Sequence, residues 1–172
     1  MLFRSSVNER NFLGRGIDLT FAGRLSTDII RGELSYVDPN YINSNKELAA
    51  SIFSEVDDYQ NSGYQNKRTG TRAATRYEFY EDIFFRPNMT IQFDKLEVTG
   101  TASNLLRSRQ GDFITTSLGY NFLYDQRDSR FNPTSGSVTY FDQNIATFLS
   151  DIPTVQTGLG ATFYHEIGRA HV

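Results

Sequence analysis

Five long stretches of this chain alternate apolar and polar residues at a period of two, and the apolar side of each one is free of charge. In an extended strand, side chains at i, i+2 and i+4 share one face, so such a run is a strand with two unlike sides. Residues 16–26 set Ile17, Leu19, Phe21, Gly23 and Leu25 against Asp18, Thr20, Ala22, Arg24 and Ser26. Residues 28–37 set Ile30, Gly32, Leu34 and Tyr36 against Arg31, Glu33 and Ser35, and residues 72–79 set Ala73, Thr75, Tyr77 and Phe79 against Arg72, Arg76 and Glu78. Residues 113–125 carry Ile114, Thr116, Leu118, Tyr120, Phe122 and Tyr124 on one side, and residues 155–164 carry Val155, Thr157, Leu159, Ala161 and Phe163. In a chain that is 22% charged, faces this clean are faces that avoid water.

Three stretches alternate less well. Residues 46–57 place Leu48, Ala50, Ile52 and Val56 on one side of a strand, yet Leu48, Ile52, Phe53 and Val56 also form a helical stripe. Residues 88–100 alternate through Met89, Ile91 and Phe93 and then shift to Leu96 and Val98, which predicts a bulge near Asp94 and Lys95. Residues 137–149 alternate only at Val138 and Tyr140 before Asp142, Gln143 and Asn144 blur the pattern.

The connections fall into two sets that alternate along the chain. One comprises residues 11–16, 38–45, 82–88 and 126–136 and holds Pro39, Pro87 and Pro133; the other comprises 25–28, 58–67, 101–112 and 149–154. In an up-and-down meander, alternate turns lie on the same rim, so the sets are opposite edges of one antiparallel sheet. Phe12, Tyr36, Tyr41, Phe79, Phe84, Phe85, Tyr124, Phe131 and Tyr140 gather at the proline-bearing edge, where an aromatic girdle of a membrane barrel would stand. Strands of about 10 to 13 residues also match the ~25 Å apolar band of such a barrel. The competing architecture is a soluble sandwich or lipocalin-like barrel whose uncharged faces form its core; long strands joined without a crossover favour the membrane barrel.

Composition removes several function classes. With pI near 5.4 and a net charge of -3, there is no basic excess for nucleic acid or an anionic surface. The chain has no cysteine, and its two histidines, His165 and His171, sit at the C-terminal end, so neither thiolate nor imidazole metal chemistry is expected. The glycines at 14, 16, 111, 119 and 136 have no phosphate-loop spacing, and the carboxylate pairs Asp57-Asp58 and Glu81-Asp82 have no histidine near them. No catalytic, cofactor or metal site is expected. No run of apolar residues is long enough for a transmembrane helix, which leaves strands as the only means of crossing a bilayer.

The ends differ in character from the rest. Met1-Leu2-Phe3-Arg4-Ser5 and Ile167-Gly168-Arg169-Ala170-His171-Val172 resemble translated sequencing-adapter DNA. Residues 1–5 and 167–172 are therefore set apart, and residues 6–166 are read as a partial barrel domain.

Four turn motifs carry a family resemblance. Glu9-Arg10-Asn11-Phe12-Leu13-Gly14-Arg15-Gly16 resembles the turn between the second and third strands of the BamA family of outer-membrane barrel assembly factors. Asp38-Pro39-Asn40-Tyr41 is similar to the turn after that family's fourth strand, and the stretch from Tyr59-Gln60 through Tyr64 to Arg68-Thr69-Gly70 to its next long loop and strand. The stretch from Tyr124 to Gly136 resembles the segment between strands eight and nine, with Asp125, Arg127 and Asp128, then Asn132, Pro133 and Thr134, then Gly136 in place. The motif residues thus named are Asn11, Leu13, Gly14, Gly16, Pro39, Tyr41, Asp125, Arg127, Asp128, Asn132, Pro133, Thr134 and Gly136. Glycine and proline have physical reasons to be there, since one accepts positive φ and the other fixes it.

The resemblance implies strands two to ten of a sixteen-stranded transmembrane barrel, present here as an open curved sheet, and favours a strand over residues 46–57. It implies that the proline-bearing rim faces the periplasm and that Ile17, Leu19, Phe21, Leu118, Tyr120 and Phe122 face lipid on the convex side. It also implies a network of Asp125, Arg127 and Asp128 at the barrel base. For the parent it implies the bacterial outer membrane as location, unfolded outer-membrane proteins as clients, and accessory lipoproteins as partners. A passive porin-like channel and a two-partner secretion translocator are the alternatives, because Asp18, Arg24, Arg31, Glu33, Arg72, Arg76 and Glu78 would line a pore equally well.

Overall fold

In the computed structural model, residues 2–147 and 149–166 are described, Gln60 by its backbone alone. They form nine strands: β1 (Phe3–Phe12), β2 (Ile17–Leu25), β3 (Ile29–Asp38), β4 (Glu47–Tyr59), β5 (Tyr64–Tyr80), β6 (Ile83–Val98), β7 (Gly111–Asp125), β8 (Gly136–Ala146) and β9 (Thr154–Tyr164). Every strand pairs antiparallel with the next in sequence, in the order β1 to β9. The first and last are not paired with each other, so the sheet is an open meander. Short turns force this order, because antiparallel neighbours need only a hairpin whereas a parallel pair needs a long crossover. One helical turn, α1 (Asn104–Arg107), lies in the β6–β7 loop, with the Ser103 hydroxyl accepting from the Leu106 N–H.

Four of the five clear stretches are realised with little change of boundary, the fifth, residues 72–79, is the end of the longer β5, and residues 47–57 lie in β4 as a strand. Other details differ from the sequence reading. The β5–β6 connection is only Glu81 and Asp82, with Asp82 at φ 61, and not residues 82–88. Pro87 had marked a turn, yet it lies within β6 opposite Tyr120, on the strand's β7 side. On the other side the β5–β6 register skips 86–87, because proline has no N–H to donate. Likewise the β4–β5 turn shrinks to residues 60–63, since β5 begins at Tyr64.

No bulge interrupts β6 at Asp94 and Lys95; the register with β7 is unbroken from Ile83 to Leu96. Leu96 simply sits on the polar face opposite Asn66 and Gly111, and the register shift lies instead between Glu78 and Tyr80. In β8 the residues that share the apolar face are Phe141, Gln143 and Ile145, opposite Phe122, Tyr120 and Leu118, whereas Val138 and Tyr140 point the other way. β1 runs from Phe3, so Phe3, Arg4 and Ser5 extend the sheet opposite Leu25, Arg24 and Gly23. Residues 167–172 lie outside the described residues.

Candidate functional site

The register sorts the side chains into two faces, and their exposure is the reverse of that in a water-soluble protein. On one face run Phe21, Leu34, Ile52, Thr71 and Ile91, each opposite the next across β2 to β6. Phe21 and Ile52 are each 56% exposed and Phe93 58%, whereas on the other face Glu55 is 7% and Asp57 4% exposed. Sheltered charge and open hydrocarbon are what a sheet curved around its polar side produces. Soluble proteins seldom expose one broad apolar patch, so this surface has to meet something other than water.

The size of the apolar face can be worked from the register. Lys67, Lys95 and Asp112 lie in one row across β5, β6 and β7 and mark its upper limit. Below that row, Thr69 to Phe79 in β5, Phe93 to Ile83 in β6 and Ile114 to Tyr124 in β7 hold no charged residue on this face. Each run is ten residue steps, about 33 Å along a strand at ~3.3 Å per residue and about 23 Å along the normal at a ~45° tilt. That height agrees with the ~25 Å apolar band of an outer-membrane barrel.

At the proline-bearing rim, the lower end of this band is lined with rings. Tyr77, Phe79, Phe85, Tyr120, Phe122 and Phe141 form a connected cluster, with Phe85 and Phe122 centroids 4.6 Å apart. The Tyr120 hydroxyl donates to Gln143 Oε1 at 2.8 Å. Two aromatic residues assigned to the girdle from sequence belong elsewhere: Phe84 and Tyr140 lie on the polar face. Phe84 has the guanidinium groups of Arg76 and Arg130 over its ring, and Tyr140 covers the backbone at Gly160.

Of the residues expected to face lipid, Leu19, Phe21, Leu118, Tyr120 and Phe122 share the uncharged face. Phe21 and Leu118 are open, and Tyr120 and Phe122 are partly covered by the ring cluster. Ile17 shares the same parity but is buried beside the β1–β2 turn, at 3% exposed.

The polar face is held by ion pairs between strands. Glu55 accepts from Arg31 on β3, and Arg68 on β5 lies 3.4 Å from Glu55 and 2.7 Å from Asp57. Arg72 stacks its guanidinium 3.9 Å above the Phe53 ring and reaches Glu33 at 3.5 Å. Phe53, apolar on a polar face, rests against Gly70, where a Cβ would come within 2.8 Å of its ring. The adjacent carboxylates Asp57 and Asp58 cannot act as a pair, because consecutive strand residues point to opposite faces.

The turn motifs become specific geometry. Asn11 and Leu13, with φ 68 and 56, and Gly14 and Gly16, both with φ 70, make a left-handed-rich turn. Asn11 Oδ1 accepts from the Gly16 N–H at 2.7 Å, which fixes it. In the β3–β4 connection, Asp38 Oδ1 accepts from the Asn40 N–H across Pro39, and the Tyr41 N–H donates to the Lys46 carbonyl.

The β7–β8 turn is held by several side-chain hydrogen bonds. Asp125 takes a two-pronged bond from Arg127 Nε and its terminal nitrogen, both at 2.7 Å, and Arg130 Nε lies 3.8 Å away. Asp128 does not join this network as expected. Its Oδ1 accepts from the N–H groups of Ser129, Thr134 and Ser135 and its Oδ2 from the Thr134 hydroxyl. These bonds stabilise the carboxylate and hold its pKa down at about 2. Gly136, at φ 99, lets the chain return where a Cβ would strike the Gln126 carbonyl. Asn132 and Pro133 complete the loop, and the Asn132 N–H donates to the Ser129 hydroxyl. Phe131 at its tip is fully exposed.

Sequence reasoning missed the cross-strand partners Glu55, Asp57 and Arg68, and the return of Arg130 onto Phe84. It also missed a brace at the opposite rim, where the Ile114 N–H donates to the Asp151 carboxylate and the Ile114 carbonyl accepts from the Asp151 N–H, beyond the end of β8. None of these is local in sequence; each needs the register to be known.

A family model for the Omp85 superfamily domain matches residues 11–172. No curated protein sequence matches the chain. Among solved structures, BamA from Haemophilus ducreyi lacking POTRA domains 1-3 superposes with a TM-score of 0.73 at 20% sequence identity, over 93% of this chain and 34% of that one. The chain therefore spans about a third of that structure, and at this identity the likeness is one of fold. With the family match running almost from end to end of an open antiparallel meander, the chain belongs to the Omp85 superfamily.

Proposed function

We propose that this chain is wall from the barrel of an outer-membrane assembly factor, which folds and inserts other β-barrel proteins without a nucleotide or cofactor. The observation that carries the reading is the uncharged face, whose height fits a bilayer, on a sheet of the Omp85 superfamily. Its location is then the bacterial outer membrane. Leu19, Phe21, Leu118, Tyr120 and Phe122 line the lipid side, Ile17 shares their parity but is packed beside the β1–β2 turn, and Lys67, Lys95 and Asp112 meet the outer headgroups. The proline-bearing turns face the periplasm. Unfolded barrel proteins are the clients and accessory lipoproteins the partners of the whole protein. Strand edges of such a barrel have unpaired N–H and C=O groups on which a client strand can form.

The test is reconstitution of the whole protein in lipid vesicles with a urea-unfolded barrel client. Faster client folding than in empty vesicles supports the assembly factor. Ion conductance without faster folding would identify a passive channel, and export of a soluble partner across the vesicle a two-partner translocator. The polar face, with Arg24, Arg72, Arg76 and Glu78 on one side of the sheet, keeps the channel reading alive as second choice.

A further inference from the structure

We draw no further inference here: the strongest candidate, the hollow of about 580 Å³ on the polar face lined by the small side chains of Ser35, Ala49, Ser51 and Ala74 and by the charged Arg86 and Asp142, belongs to the polar face already described, and nothing in the structure shows what covers it.

Discussion

Leu118→Arg tests the assignment of the apolar face with a magnitude that depends on depth. Leu118 lies between Met89 and Ile145 on the uncharged face and is 51% exposed. It is four residue steps from Ile114 and six from Tyr124, the two ends of the band on β7. At ~3.3 Å per residue and ~45° tilt these are about 9 Å and 14 Å along the normal, which puts Leu118 near the bilayer middle. An arginine there costs about 2–4 kcal/mol, or roughly 30- to 1000-fold in the folding equilibrium. Ile114→Arg, at the band's edge, costs about 0–1 kcal/mol. Ser117→Arg, one residue away but on the polar face, changes stability by less than about 0.5 kcal/mol. Guanidinium unfolding in phosphatidylcholine vesicles measures all three. If the half-exposed Leu118 were facing water, its arginine variant would be as mild as that of Ser117, and equality of the two would refute the argument.

Gly136→Ala forces a side chain into positive φ and against the Gln126 carbonyl, so the β7–β8 hairpin loosens by about 1–3 kcal/mol in the same unfolding assay. Asp128→Ala removes the acceptor of three backbone N–H groups, and the amides of Ser129, Thr134 and Ser135 should exchange hydrogen faster while those of β7 do not change. The Asp128 pKa is lowered in the fold, so its stabilisation is complete above the ordinary carboxylate range and is lost as pH falls through about 2; a carboxyl NMR titration with its midpoint near 4 would contradict this. Glu55→Gln leaves Arg31 and Arg68 without their shared carboxylate. Because both arginines are partly open to solvent, the expected loss is about 1–3 kcal/mol, read from the unfolding midpoint.

The strands were legible because their signal is local. Ile17 to Leu25 or Ile114 to Tyr124 declare two faces within a dozen residues, whatever they pair with. Asn11, Asp125 and Gly136 stand in turns whose hydrogen bonds and φ angles depend on neighbours a few positions away. What failed was of two kinds. Pro87 reads as a turn until it is known that its missing N–H falls where the β5–β6 ladder is interrupted. Leu96, Val138 and Tyr140 read as outward hydrophobes, or as a bulge, because nothing local tells an apolar residue of the polar face from a slipped one. The Glu55 network lies across three strands, and its partners are fixed only by a register that no single strand contains.

The central claim is that hydrocarbon lies outside this sheet and charge inside. The chain has no cysteine, so single cysteines can be introduced one at a time and spin-labelled. Labels at Phe21, Ile52, Leu118 and Leu159 are compared with labels at Ala22, Ser51, Ser117 and Thr162 in lipid vesicles, by collision with oxygen and with a water-soluble nickel chelate. The account predicts that the first four favour oxygen and the second four the chelate, with the preference switching at every step along a strand. Uniform accessibility, or the same alternation with its sense inverted, would contradict it.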